Sequence, residues 1–185
     1  MKAIIFDTET TGLLKNRTIK LSLQPEIIEF HGQFVDLKKK KIGPKFSTLI
    51  KPKKPLSDKP VPGDKKTITQ ITGITNEMLK DKPSFKEVSQ KIIKILQSAP
   101  VVIAHNLGFD SEMIEIELER LGIEMQWPRK ICTVESTIAM KGHRLTLTKL
   151  YLELFGEAFE NAHRAKSDVD ALTACSIELF KRGML

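Results

Sequence analysis

Four consecutive apolar residues, Val101-Val-Ile-Ala104, stand between Pro100 and His105. A strand this short with no polar side chain must be covered on both faces, as the central strand of a helix-flanked sheet is. The neighbouring segments supply the helices. Upstream, Ser84-Phe-Lys-Glu87 has the form of a capping box, and Phe85, Val88, Ile92, Ile95 and Leu96 mark one apolar face running to about residue 98. Downstream, residues 109–121 are amphipathic, with Met113, Ile114, Leu118 and Leu121 inward and Gly122 as the stop.

A second apolar run, Ala3, Ile4, Ile5 and Phe6, predicts another buried strand. Residues 13–24 predict a loop. Strand-like text follows at 26–36 and 46–50, joined by 38–43 as an antiparallel hairpin continuing from the first strand. Ile68, Ile71 and Ile74 suggest one or two short helical turns, 131–134 a last strand, and 146–155 and Ala165–Lys181 two closing helices backed by Gly156 and Gly183. The order is three strands, helices, strand, helix, strand, helix, helix. That is an α/β domain whose sheet is antiparallel in its first three strands and parallel thereafter. With 185 residues and no internal repeat, residues 1–185 are expected to form one domain.

The hydrophobic share of 41% and charged share of 29% are those of a soluble globular chain. No apolar run approaches the length of a membrane span or a signal-peptide core. Cys132 and Cys175 have neither disulfide-framework nor zinc spacing, so a reducing, cytoplasmic setting is expected. Net charge is +7, but residues 38–66 hold eleven lysines against two aspartates, which leaves the rest slightly acidic. This Lys/Pro-rich segment is either a flap for a polyanionic partner or a solvated loop.

Two acids, Asp7 and Glu9, follow the first strand. At i and i+2 of an extended chain they point the same way. Partly buried like charges that close repel unless a cation lies between them. Either the pair binds a divalent metal, or the strand ends at Asp7 and both acids are solvated turn residues. Asp110 ends His105-Asn-Leu-Gly-Phe-Asp110, straight after the central strand, where active sites of α/β sheets gather. It joins the pair or caps its helix. Asp168 lies near the start of the last helix, five residues after His163. On one helix the two would diverge by about 140°, so His163 is expected on the loop before it.

Taken together, Phe6-Asp-Thr-Glu-Thr-Thr-Gly12, His105-Asn-Leu-Gly-Phe-Asp110 and His163-Arg-Ala-Lys-Ser-Asp168 resemble the three exonuclease motifs of the DnaQ-like family, in its DEDDh subgroup. Ile71-Thr-Gly-Ile-Thr75 and Leu145-Thr-Leu-Thr-Lys-Leu-Tyr151 extend the likeness over nearly the whole chain. The resemblance implies a ribonuclease-H-like fold and removal of nucleoside 5'-monophosphates from a free 3' end. It also implies two Mg²⁺ or Mn²⁺ ions held by Asp7, Glu9, Asp110 and Asp168, with Asp7 bridging them and His163 as general base. Hard oxygen ligands suit such ions, which can stabilise both attacking and leaving oxygens at phosphorus. An imidazole with a pKa near 6.5 suits proton transfer at neutral pH.

Further expectations concern substrate contact. Thr8, Thr10 and the turn at Gly12 would offer groups to the terminal nucleotide. Leu13 and Phe109 either pack on bases or join the core. His105 and Asn106 touch substrate or hold Asp110, the second being preferred. Trp127 is a stacking platform or core, and His31 and His143 are ordinary. The expected partner is a single-stranded or frayed 3' end of DNA. RNA ends, or a catalytically silent nucleic-acid-binding module, are the rival readings. The lysine segment is enlarged relative to a compact family member, a departure that bears on the substrate's path. The sequence ends at Leu185, directly after the last helix, where a replicative proofreading subunit carries a further tail, so stable attachment to a polymerase is not expected.

Overall fold

A computed structural model describes residues 1–63, 65–159 and 163–185. Its centre is a five-stranded sheet of β1 (Lys2–Thr10), β2 (Ile27–Asp36), β3 (Lys41–Leu49), β4 (Val101–Ala104) and β5 (Arg129–Cys132). The spatial order is β3-β2-β1-β4-β5. β1 pairs antiparallel with β2, and β2 with β3, whereas β1–β4 and β4–β5 are parallel. The mixed sheet expected from the element order is therefore present.

Alternation along β1 divides the core. Ile4 and Phe6 face one side with Phe30, Val102 and Ala104, under α3 (Phe85–Leu96) and α4 (Leu107–Glu119). Ala3 and Ile5 face the other with Val35, Val101 and Ile103, under α7 (Ala165–Lys181). Val101–Ala104 is buried throughout because it meets both layers. Short helices α1 (Ile68–Thr72) and α2 (Asn76–Leu79) close a smaller cluster around Ile28. α6 (Leu147–Phe155) packs on α7 through Leu150, Cys175 and Leu179.

Three expectations change. The first strand does not stop at Phe6 or Asp7: it stays paired with β2 through Glu9↔Glu29 and shifts register only between Glu9 and Thr10. The hairpin strand β3 starts at Lys41, not at residue 46. The strand expected at 131–134 is β5 ending at Cys132, and the chain then turns at once into α5 (Thr133–Lys141). Ser84 and Glu87 do form the capping box of α3. Trp127 is partly buried against the core: its ring stacks on Phe6 at 6.1 Å, with Lys130 Nζ 4.4 Å from the ring centroid.

Candidate active site

The parity that splits the core also sorts the acids. Asp7 and Glu9 continue the Ala3 and Ile5 side and face α7, which carries Asp168 in its first turn. One carboxylate oxygen from each of Asp7, Glu9 and Asp168 lies within 4.8 Å of the other two. Thr8 continues the opposite side and meets α4. There its backbone N–H and its hydroxyl both donate to Asp110 Oδ1, at 3.0 and 2.7 Å. Asp110 is thus held at the edge of the group from the other layer and is not among the three that converge.

The electrostatics show what this clustering costs. Burial, and then the charges of Asp110, Glu9 and Asp168, push the Asp7 carboxyl well above its usual range. Burial followed by Asp168 and Glu29 pushes Glu9 up to about 8. Asp110 is pushed up to about 7 mainly by burial, against the pull of its two Thr8 hydrogen bonds. Burial likewise raises Asp168 to about 6, though the backbone N–H and charge of His163 pull down. Half-buried carboxylates in this state lack positive charge, and a divalent ion with a preference for hard oxygen donors fits the group.

His163 sits outside α7, as its spacing from Asp168 requires. Its φ is +68°, and its backbone N–H donates to Asp168 Oδ2 at 3.0 Å. The residue is exposed, and its charge acts on Asp168.

Other expected contacts resolve into framework. Thr8 donates from both its backbone N–H and its hydroxyl to Asp110, and the Thr10 hydroxyl donates to the Gly12 carbonyl at 2.7 Å. His105 does not hold Asp110. Its Nδ1 lies 2.9 Å from Thr133 Oγ1 and its Nε2 3.0 Å from the Leu145 carbonyl, which ties the end of β4 to α5 and to the turn before α6. Asn106 adopts φ +67° at the start of α4 and accepts from Arg144 Nη2 at 2.8 Å. Phe109 is partly buried against the core. Leu13, in contrast, is 60% exposed. With Gly12 it lines a cleft of about 550 Å³ that also includes Lys15, Leu23, Lys54 and Pro55. A Cβ added to Gly12 would meet no atom, so the chain itself does not demand a glycine there.

Glu29, which sequence reasoning passed over, and His31, which it read as ordinary, are prominent. Glu29, opposite Glu9 in β2 and 4% exposed, pairs with Arg164. His31 is directly across from Asp7, fully buried, and neither ring nitrogen has a hydrogen-bond partner among the described residues. Both lie in the strand-like stretch 26–36, but only the pairing register reveals their position.

A ribonuclease-H-like sheet with carboxylates gathered at the ends of its central strands defines a class of nucleic-acid-processing folds. Within it, the family model described as Exonuclease, RNase_T, matches residues 4–175, and the chain belongs to that family. The PolC-type DNA polymerase III of Caldanaerobacter subterraneus subsp. tengcongensis is 32% identical over 184 residues, covering 97% of this chain and 12% of that protein. The DNA polymerase III subunit epsilon of Pasteurella multocida is 31% identical over 139 residues, covering 75% of this chain and 50% of that protein. The chain therefore spans half or less of these relatives. Among solved structures, the nuclease domain of 3'hExo, a DEDDh family member bound to rAMP, superposes with a TM-score of 0.76 at 18% identity, covering 98% of this chain and 92% of that one. Exonuclease X in complex with 5' overhanging duplex DNA gives 0.68 at 24% identity, covering 98% and 93%.

Proposed function

We propose that this chain is a 3'-to-5' exonuclease that hydrolyses the terminal phosphodiester of a DNA strand and releases a nucleoside 5'-monophosphate. The observation that carries the proposal is the convergence of Asp7, Glu9 and Asp168 oxygens within 4.8 Å, with the exposed His163 bonded through its backbone N–H to Asp168. Asp7, Glu9 and Asp168, with Asp110 alongside, would hold two Mg²⁺ or Mn²⁺ ions. Bound there, the ions would supply charge neutralisation and activation of water at phosphorus. His163 is the residue that takes the proton of the attacking water, a role an imidazole performs near neutral pH. Asp168 steadies the histidine loop through its backbone bond, and Asp110 is kept in register by Thr8. The Gly12–Leu13 turn offers an open, apolar surface for the terminal base, while Lys15 and Lys54 line the same cleft and suit its phosphates. The named identity of the polymerase III relatives favours DNA.

The test is incubation of 5'-labelled DNA and RNA strands with Mg²⁺, resolved to single nucleotides. A descending ladder, faster on DNA, is expected, with Asp7→Asn silent. Rapid internal cutting would overturn the exonuclease reading, and faster trimming of RNA would overturn the substrate.

A further inference from the structure

Glu29 and Arg164 are 135 positions apart, yet they are paired, and the charges of both act on Glu9. Glu29 projects from β2 opposite Glu9. Its Oε1 accepts from Arg164 Nη2 at 3.0 Å, and its Oε2 from Arg164 Nε at 3.2 Å and from the Ala165 backbone N–H at 3.0 Å. Three donors therefore engage both oxygens. Arg164 is the N-cap residue of α7, and its own side chain does not cap the helix. The first free amide of α7, at Ala165, is satisfied instead by a carboxylate from a strand of the sheet. Negative charge is favoured at that helix end. His163 immediately precedes this joint, and Asp168 follows it by one turn.

We propose that the Glu29–Arg164 pair is a positioning device with two effects. It fixes the start of α7, and with it His163 and Asp168, against the strand carrying Asp7 and Glu9. It also occupies a fifth carboxylate that would otherwise stand free beside Glu9 and compete for the cations. The fork of Arg164 meets both Glu29 oxygens at once, a match that the single ammonium of a lysine does not reproduce. Both effects rest on the proposed function, the first on the hydrolytic role of His163 and the second on the cations that Asp7, Glu9 and Asp168 would hold.

The experiment compares Glu29→Gln, Arg164→Ala, Arg164→Lys and the Glu29→Gln/Arg164→Ala double variant with the parent chain, at a temperature where urea titration shows each to be folded. Glu29→Gln and Arg164→Ala should lower kcat by roughly 10- to 100-fold with KM within about twofold. The double variant should be no worse than either single, because the two residues act as a unit. Arg164→Lys should recover part of the loss. Amide exchange should quicken in residues 163–168 and not across the sheet. Calorimetry with Mn²⁺ alone should show altered affinity or stoichiometry in Arg164→Ala, where Glu29 is released, and a return towards parent behaviour in the double variant. Unchanged kcat in both single variants, or losses that track the unfolded fraction, would overturn the positioning role. Mn²⁺ binding in Arg164→Ala identical to the parent would overturn the sequestering role. Should the parent chain prove inactive on nucleic acids, the proposed function fails, while exchange and calorimetry still decide whether the clamp exists.

Discussion

Neighbouring residues on β1 serve different layers: Asp7 points to α7, whereas Thr8 reaches α4 and grips Asp110. The clustering makes the acids a source of repulsion when no cation is bound. In the folded chain Glu9 titrates at about 8, Asp110 at about 7 and Asp168 at about 6, whereas unfolded carboxylates titrate near pH 4. The folded state then holds more protons, so stability falls as pH rises through these values. His31 and His105, pushed down by burial, act in the opposite direction below about pH 7. The clean window is therefore about pH 7 to 8.5, where both imidazoles are neutral. Without divalent ions, the urea midpoint should fall across that window, and Asp7→Asn should flatten the fall while abolishing nuclease activity. A midpoint that holds steady in the parent would contradict the clustered charge. For His163→Ala, activity should drop by roughly 10²- to 10⁴-fold with Mn²⁺ affinity retained; calorimetry beside single-turnover kinetics checks both. Asp7, Glu9, Asp110, His163 and Asp168 were legible because each belongs to a short local motif. Glu29 and Arg164 were not, since a glutamate in a strand and an arginine after a histidine acquire meaning only when β2 meets α7.

At the scale of elements, the legible pieces were those with local punctuation. Ser84 and Glu87 mark the start of α3, and Gly156, at φ +76°, marks the end of α6. α5 is marked only at its end, by Gly142 at φ +74°: its N-cap, Cys132, makes no side-chain cap bond among the described residues, and Ile131 and Val134 are β-branched. The apolar text of 131–134 therefore looks like one strand, although pairing with β4 ends at Cys132. β3 was shortened in the reading for the opposite reason. As an edge strand it tolerates Lys41, Pro44 and Lys45 on its exposed surface, residues that a buried strand would refuse. The pairing also divides the lysine-rich segment. Lys38, Lys39 and Lys40 occupy the turn beyond Asp36↔Lys2, about 17 Å along the strand from Asp7 at 3.4 Å per residue. Lys54 is beside the Gly12–Leu13 cleft. Replacing Lys15 and Lys54 by serine should lower the slope of log affinity against log salt by about 0.7 per lost phosphate contact on single strands. Replacing Lys38–Lys40 should leave the slope for short oligonucleotides unchanged. Fluorescence anisotropy at several salt concentrations separates the two, and equal effects would mean that the whole segment contacts the strand.

For the molecule as a whole, the sheet joins the acid cluster to a core that is buried on both faces, so cation binding at the proposed site would be linked to folding. Any ion that binds the folded chain alone stabilises it by RT ln(1 + [L]/Kd), about 2.7 kcal/mol at a hundredfold excess over Kd. Mn²⁺ should therefore raise the melting temperature clearly near pH 8. Its effect should be small near pH 5, where the raised carboxylates keep their protons. A melting temperature indifferent to Mn²⁺ at the higher pH would remove the metal site. The long β1–β2 pairing has a practical consequence as well. The hairpin turn and the acids occupy opposite ends of one stiff ribbon. A dye or surface tether attached through Lys39→Cys would accordingly ride on the chemistry without touching it, a handle for watching individual strands shorten in real time.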